Sequence, residues 1–158
     1  MRLILEGVSE DLARELFALL GRHGAAPVLQ DAQWTVTRAA QLLRDLPATA
    51  VQIIRLAAEG EGWVASGHLR GPDGSESLRG RSGAITKAVN RGAAKKRWPV
   101  GMPQPVEAQY DPENPSYQRT TGYVMNEDLV PVFKAALARI DRETAELATA
   151  TVTAEGGA

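Results

Sequence analysis

Two runs of alternating side chains constrain this chain of 158 residues more than any other feature. In the first, Val106, Ala108 and Tyr110 fall on one side. In the second, Tyr117, Thr121, Tyr123 and Met125 do. Only the turn-rich stretch Asp111-Pro-Glu-Asn-Pro-Ser116 lies between them. A period of two is that of a strand with one buried face, and two such runs around a short polar loop make an antiparallel hairpin. Most of the remaining periodic sequence has helical spacing. A hairpin set among helices predicts an α+β fold.

The chain begins with Arg2-Leu-Ile-Leu-Glu6, which reads as a short strand. Ser9 can cap a helix carrying Glu10 and Asp11 in its first turn, where the helix dipole favours anions. Leu12, Leu16, Phe17, Leu19 and Leu20 follow at helical spacing, and Arg22, His23 and Gly24 can close the helix. Residues 1–24 thus form an accessory strand–helix unit. Ala25 to Gln33 has a proline and no periodicity, and reads as a linker.

A main domain is expected over residues 34–142. Ala39, Ala40, Leu42, Leu43 and Leu46 give one apolar helix face before Pro47. Thr49 can cap a second helix, with Val51, Ile53, Ile54, Leu56 and Ala57 as its apolar residues. Trp63-Val64 is a short extended piece. Ser66 to Arg70 makes one or two helical turns with Leu69 inward, and Gly71-Pro-Asp-Gly74 is a turn. From Ser82 to Ala93 a helical wheel places Ile85, Ala88, Val89, Gly92 and Ala93 on one arc. Thr86, Lys87, Asn90, Arg91 and Ala94 share the opposite arc. Lys96 would fall on the apolar arc, so this helix should end by about Ala94. In the final helix Asp128 is the expected N-cap, Pro131 sits in the first turn, and Val132, Phe133, Ala136, Leu137 and Ile140 form one stripe. Residues 149–158 are small and polar, and read as a disordered tail.

The formal net charge of −1 hides a segregation. Ser77 to Val106 contains Arg79, Arg81, Lys87, Arg91, Lys95, Lys96 and Arg97 and no acid, so the rest of the chain carries −8. A local basic block, rather than the average, sets the field that a polyanion meets.

The order of these elements resembles a winged helix-turn-helix domain. Val51 to Ala58 would be the first core helix and Trp63-Val64 the small strand. Ser66 to Arg70 would be the second helix, Ser82 to Ala93 the third, and Val106 to Met125 the wing. The fold class expected is therefore α+β: a winged helix-turn-helix core with the N-terminal strand–helix appendage and a C-terminal helix. The chain departs from the pattern in its very short second helix, its long glycine-rich turn from Gly71 to Gly83, and the eleven residues between the third helix and the hairpin.

The resemblance implies binding of double-stranded DNA, with the third helix in the major groove and the hairpin against the backbone. The side chains agree with it independently. Lys and Arg neutralise phosphates, Asn can pair with adenine and Arg with guanine. Thr86, Lys87, Asn90 and Arg91 offer such groups on one face. Arg79, Arg81 and Ser82 lie at that helix's start, where free amides favour phosphate. Lys95, Lys96 and Arg97 would follow the backbone, or else form a solvated loop. Gln118 and Arg119 stand on the second wing strand.

Other conspicuous residues have plainer readings. Trp34, Trp63 and Trp98 are expected to pack in or at the edge of the core, and the hairpin tyrosines to pair across strands. His23 closes a helix and His68 lies at the surface. The stripe of the final helix is expected in the core, with a dimer seam as the alternative.

An enzyme is not expected. Without cysteine there is no thiol nucleophile or thiolate metal site, and the two histidines stand alone. Gly80-Arg-Ser-Gly83 lacks the second glycine of a nucleophile elbow, and no phosphate-binding loop, dinucleotide fingerprint or HExxH occurs. Asp111 and Glu113 read as turn residues. No cofactor and no metal are expected. No apolar run approaches a membrane span and no signal peptide is recognisable, so the protein is expected in the cytoplasm, away from membranes. The function expected is that of a small bacterial transcriptional regulator that binds DNA without catalysis. The alternative is a protein-interaction module on the same scaffold, its basic face meeting an acidic partner surface. A homodimer through the final helix or the N-terminal unit is compatible with either.

Overall fold

The structure, a computed structural model, describes residues 9–23, 31–113 and 120–155. The chain divides into two units, Met1–Asp31 and Ala32–Ala158. In the first unit, α1 spans Glu10–Arg22. The Ser9 hydroxyl accepts from the Leu12 amide at 3.4 Å, and the His23 amide donates to the Leu20 carbonyl at 3.1 Å. Both ends are thus closed as the sequence predicts. Leu12 and Leu19 are exposed. The expected strand at residues 2–6 lies outside the described residues.

The second unit is a mixed α+β domain with a three-stranded antiparallel sheet. Its elements are α2 (Val36–Arg44), α3 (Ala48–Glu59), β1 (Trp63–Ala65), a 3₁₀ turn (Ser66–Leu69), α4 (Arg79–Ala94), β2 (Glu107–Tyr110), β3 (Thr120–Val124), a 3₁₀ turn (Glu127–Leu129) and α5 (Val130–Glu155). The Thr35 hydroxyl caps α2 by accepting from the Arg38 amide at 3.3 Å. Helix α3 begins before its expected cap Thr49, because the Pro47 carbonyl already accepts from the Ala50 and Val51 amides.

The core lies where α2, α3 and α5 meet, with α4 packed on α3. Leu42, Ile53, Ile54 and Phe133 are completely buried there. The Trp34 ring centroid is 5.4 Å from that of Trp98 and 5.6 Å from that of Phe133. Both buried indoles find acceptors: Trp34 Nε1 donates to the Pro103 carbonyl at 2.7 Å and Trp98 Nε1 to the Val89 carbonyl at 2.9 Å. Burying an indole without such a partner would leave its N–H unsatisfied at a cost of about 1–3 kcal/mol.

The sheet order is β1-β3-β2, so the hairpin returns its second strand to lie beside β1. Val64, Tyr123 and Ala108 are aligned across the three strands, and Tyr123 is buried in the core. The neighbouring row Trp63, Val124 and Glu107 is exposed. Trp63 lies over Gly122. A Cβ at Gly122 would come within 2.3 Å of the indole, so only glycine admits the ring at that place. Trp63 is therefore a surface cover on the outer face of the sheet, while Trp34 and Trp98 belong to the core. A register shift between Gln109 and Tyr110 ends the regular alternation, and Tyr110 is exposed.

Two boundaries differ from the sequence expectation at the end of the chain. The Asn126 side chain, rather than Asp128, caps the turn into α5, accepting from the Asp128 amide at 3.0 Å. The helix then continues to Glu155, through most of the segment expected to be a disordered tail. Phe133, Ala136 and Leu137 are buried and Val132 and Ile140 pack against the core, so the stripe is core rather than seam. From Thr144 to Thr151 the side chains of the helix are exposed. Thr144, Thr149 and Thr151 there return their hydroxyls to the carbonyls four residues earlier, at 2.9–3.0 Å. That local bonding satisfies polar groups that would otherwise compete with the helix. No helix among the described residues is long and apolar enough to cross a membrane.

Candidate nucleic-acid interface

Helix α4 carries the face singled out by the sequence. Ile85, Ala88, Val89 and Gly92 are buried and Ala93 half-buried, whereas Thr86, Lys87, Asn90 and Arg91 are exposed. The two arcs of the wheel are thus separated as predicted. The helix starts at Arg79, three residues before Ser82. Gly80 and Gly83 are poor helix formers, but Leu78 is buried at 3% exposure and its carbonyl accepts from the Arg81 and Ser82 amides at 3.1 Å. A tertiary anchor overrides local propensity at that end.

The other end is fixed by a reversal. The Arg97 amide donates to the Gly92 carbonyl at 2.9 Å and the Lys96 amide to the Ala93 carbonyl at 3.0 Å. Lys96 has φ +58°, the left-handed position that glycine usually takes in this motif. The chain then folds Trp98 against the helix. A Cβ on Gly92 would lie 1.8 Å from the Trp98 ring, so Gly92 is what allows the ring and helix to meet. Lys96 thus leaves the helix instead of pointing into the apolar arc, and Lys95 and Lys96 are exposed beside Arg91 in sequence.

The cations of the basic block fall into two groups. Arg81 donates to the Leu69 carbonyl at 2.8 Å and pairs with Glu76, and its side chain is only 16% exposed. Arg97 pairs with Asp45 at the end of α2. Other ion pairs among the described residues include those of Arg14, Arg44, Arg55, Lys134 and Arg139. Lys87, Arg91, Lys95 and Lys96 enter none of them. Ser82 donates to the Leu78 carbonyl at 3.3 Å. Gln118 and Arg119 lie outside the described residues, as does the Arg79 side chain.

Arg70, which the sequence reading did not single out, stitches the neighbourhood together. Its guanidinium donates to the Glu76 carbonyl at 3.3 Å and to the Thr120 carbonyl on β3 at 3.4 Å. The loop before α4 is therefore closed on itself and tied to the hairpin. Sequence spacing gives no sign of Arg70, because its partners lie across a turn and across the sheet.

A groove of about 640 Å³ lies elsewhere, lined by Leu56, Glu59, Trp63, Val64 and His68 among others. None of the α4 residues lines it. No group of three or more His, Asp or Glu able to hold a metal ion occurs among the described residues. His68 is exposed, and the Glu113 amide donates to Asp111 at 2.9 Å in a local turn. Comparison of the chain with family models, curated proteins and solved structures returned no significant match.

Proposed function

We propose that residues 32–155 form a winged-helix domain that binds double-stranded DNA, and that the protein is a small bacterial transcriptional regulator acting without catalysis. The observation that carries this reading is the exposed face of α4. Thr86, Lys87, Asn90 and Arg91 lie there, followed by Lys95 and Lys96, and no acid pairs with the four cations among the described residues. The element order supports it too. Helix α3, strand β1, a short turn, helix α4 and then a hairpin whose second strand lies beside β1 is the arrangement in which a winged helix presents its recognition helix. Lys87, Arg91, Lys95 and Lys96 supply cations for the phosphates, and Asn90 and Arg91 carry side chains able to pair with adenine and guanine.

Binding to a labelled duplex, measured over a salt series, tests the reading. Affinity should fall steeply as salt rises, and Lys87→Ala or Arg91→Ala should each reduce the log–log slope by about 0.9 while leaving folding intact. Absence of duplex binding at low salt overturns it. A second reading, a protein-interaction module, is favoured by one observation: Trp63, Val124 and Tyr110 are exposed on the sheet. It predicts a stoichiometric protein complex that survives nuclease.

A further inference from the structure

We propose that Asp45 is a built-in competitor for nucleic-acid phosphate, holding Arg97 out of the footprint that its neighbours offer. The inference rests on the DNA-binding reading of α4 and concerns how strongly that face binds. Lys95 and Lys96 are unpaired among the described residues, and Arg97 directly after them is not. The difference comes from the backbone. The Arg97 amide is bound to the Gly92 carbonyl, and the next residue, Trp98, is buried at 3% exposure with its indole nitrogen on Val89. The main chain is thus fixed on both sides, and only the guanidinium can change partner.

Asp45 has its own reason to hold that guanidinium. It is the C-cap of α2, where the helix dipole disfavours a carboxylate. The preceding Arg44 does not compensate it, because Arg44 binds Glu143 at 2.6 Å. The counter-charge comes instead from Arg97, fifty-two residues away in sequence. The two side chains are 34% and 31% exposed, so the pair is open enough for a phosphate to compete with the carboxylate. Arg81 is the contrasting case. At 16% exposure, with both Glu76 and the Leu69 carbonyl as partners, it is committed to the fold.

The experiment uses the full chain and a labelled random-sequence duplex over a salt series, with Asp45→Asn, Arg97→Ala and the double variant. Asp45→Asn should steepen the log–log salt slope by about 0.9 and tighten binding at low salt, as one further phosphate contact requires. Arg97→Ala alone should leave the slope as it is, and in the Asp45→Asn background it should remove the gain. Duplex binding with an unchanged slope in Asp45→Asn overturns the competitor role and leaves the DNA reading standing. A flatter slope in Arg97→Ala alone also overturns it, because Arg97 would then already be on the DNA. No binding by the unaltered chain overturns both. Phenylglyoxal modification read by mass spectrometry tests the pair without DNA. Arg97 should react more slowly than Arg91, and Asp45→Asn should abolish the difference; equal rates in the unaltered chain overturn the pairing itself.

Discussion

On α5, Asp141 receives Arg55 from α3 at 2.7 Å, and Glu143 receives both Arg44 from α2 and Arg139 from its own helix. On α4, Lys87 and Arg91 receive nothing of the kind. Both helices bury one face against the same core, and both turn charged residues outward. The charges of α5 join it to two neighbouring helices, so they act inside the fold. Lys87 and Arg91, by contrast, leave their charge uncancelled at the surface, and like charges at i,i+4 repel modestly on a helix.

The largest effect should be on the inner face of α5. Phe133→Ala removes a completely buried ring and should destabilise the domain by about 3–5 kcal/mol, measured by chemical denaturation. Gly92→Ala places a methyl group against Trp98 and should lose about 1–3 kcal/mol, which would show that α4 is fixed by its inner face. If Gly92→Ala leaves stability unchanged, α4 is not held as described. Lys96→Gly should stabilise the domain by about 1 kcal/mol, since the left-handed backbone strains a side chain but not glycine. It should weaken duplex binding as well. That pair of opposite signs would sharpen the contrast with α5, where losing a charge is not expected to stabilise.

The smallest effect is in the pH dependence. Hydrogen bonds from Arg55 hold the Asp141 carboxyl below the usual carboxylate range, and those from Arg44 and Arg139 do the same for Glu143. The unfolded chain then takes up these protons first as pH falls. The stabilisation is whole above the ordinary carboxylate range and is lost as pH drops through the lowered values. These pairs are open to solvent, so the change should be slight. Asp141→Asn with Glu143→Gln should flatten this acid limb in a thermal-denaturation series. A limb of unchanged slope would break the claim that α5 charges act within the fold.

Local pattern carried much of this into the sequence. The hairpin, the two arcs of α4, the inward Leu69 and the core stripe of α5 are all set by period and burial. Two features were not legible because their causes are distant. The start of α4 depends on the burial of Leu78. The pairing of Arg97 depends on Asp45, which no spacing connects to it. Composition alone suggests a tail where α5 in fact continues to Glu155. The candidate face was readable as a set of cations. Which of them are already neutralised was not.

The three tryptophans give the domain a set of optical probes. Trp34 and Trp98 are buried with their rings 5.4 Å apart, and Trp98 is bonded to Val89 on the inner side of α4. Trp63 is exposed on the sheet. Iodide should therefore quench Trp63 and spare the other two. Emission that shifts to the red on unfolding would come from the buried pair, and changes confined to the quenchable fraction would report events at the hairpin. One spectrum, recorded with and without quencher, can separate movement behind the helix from contact at the outer face of the sheet.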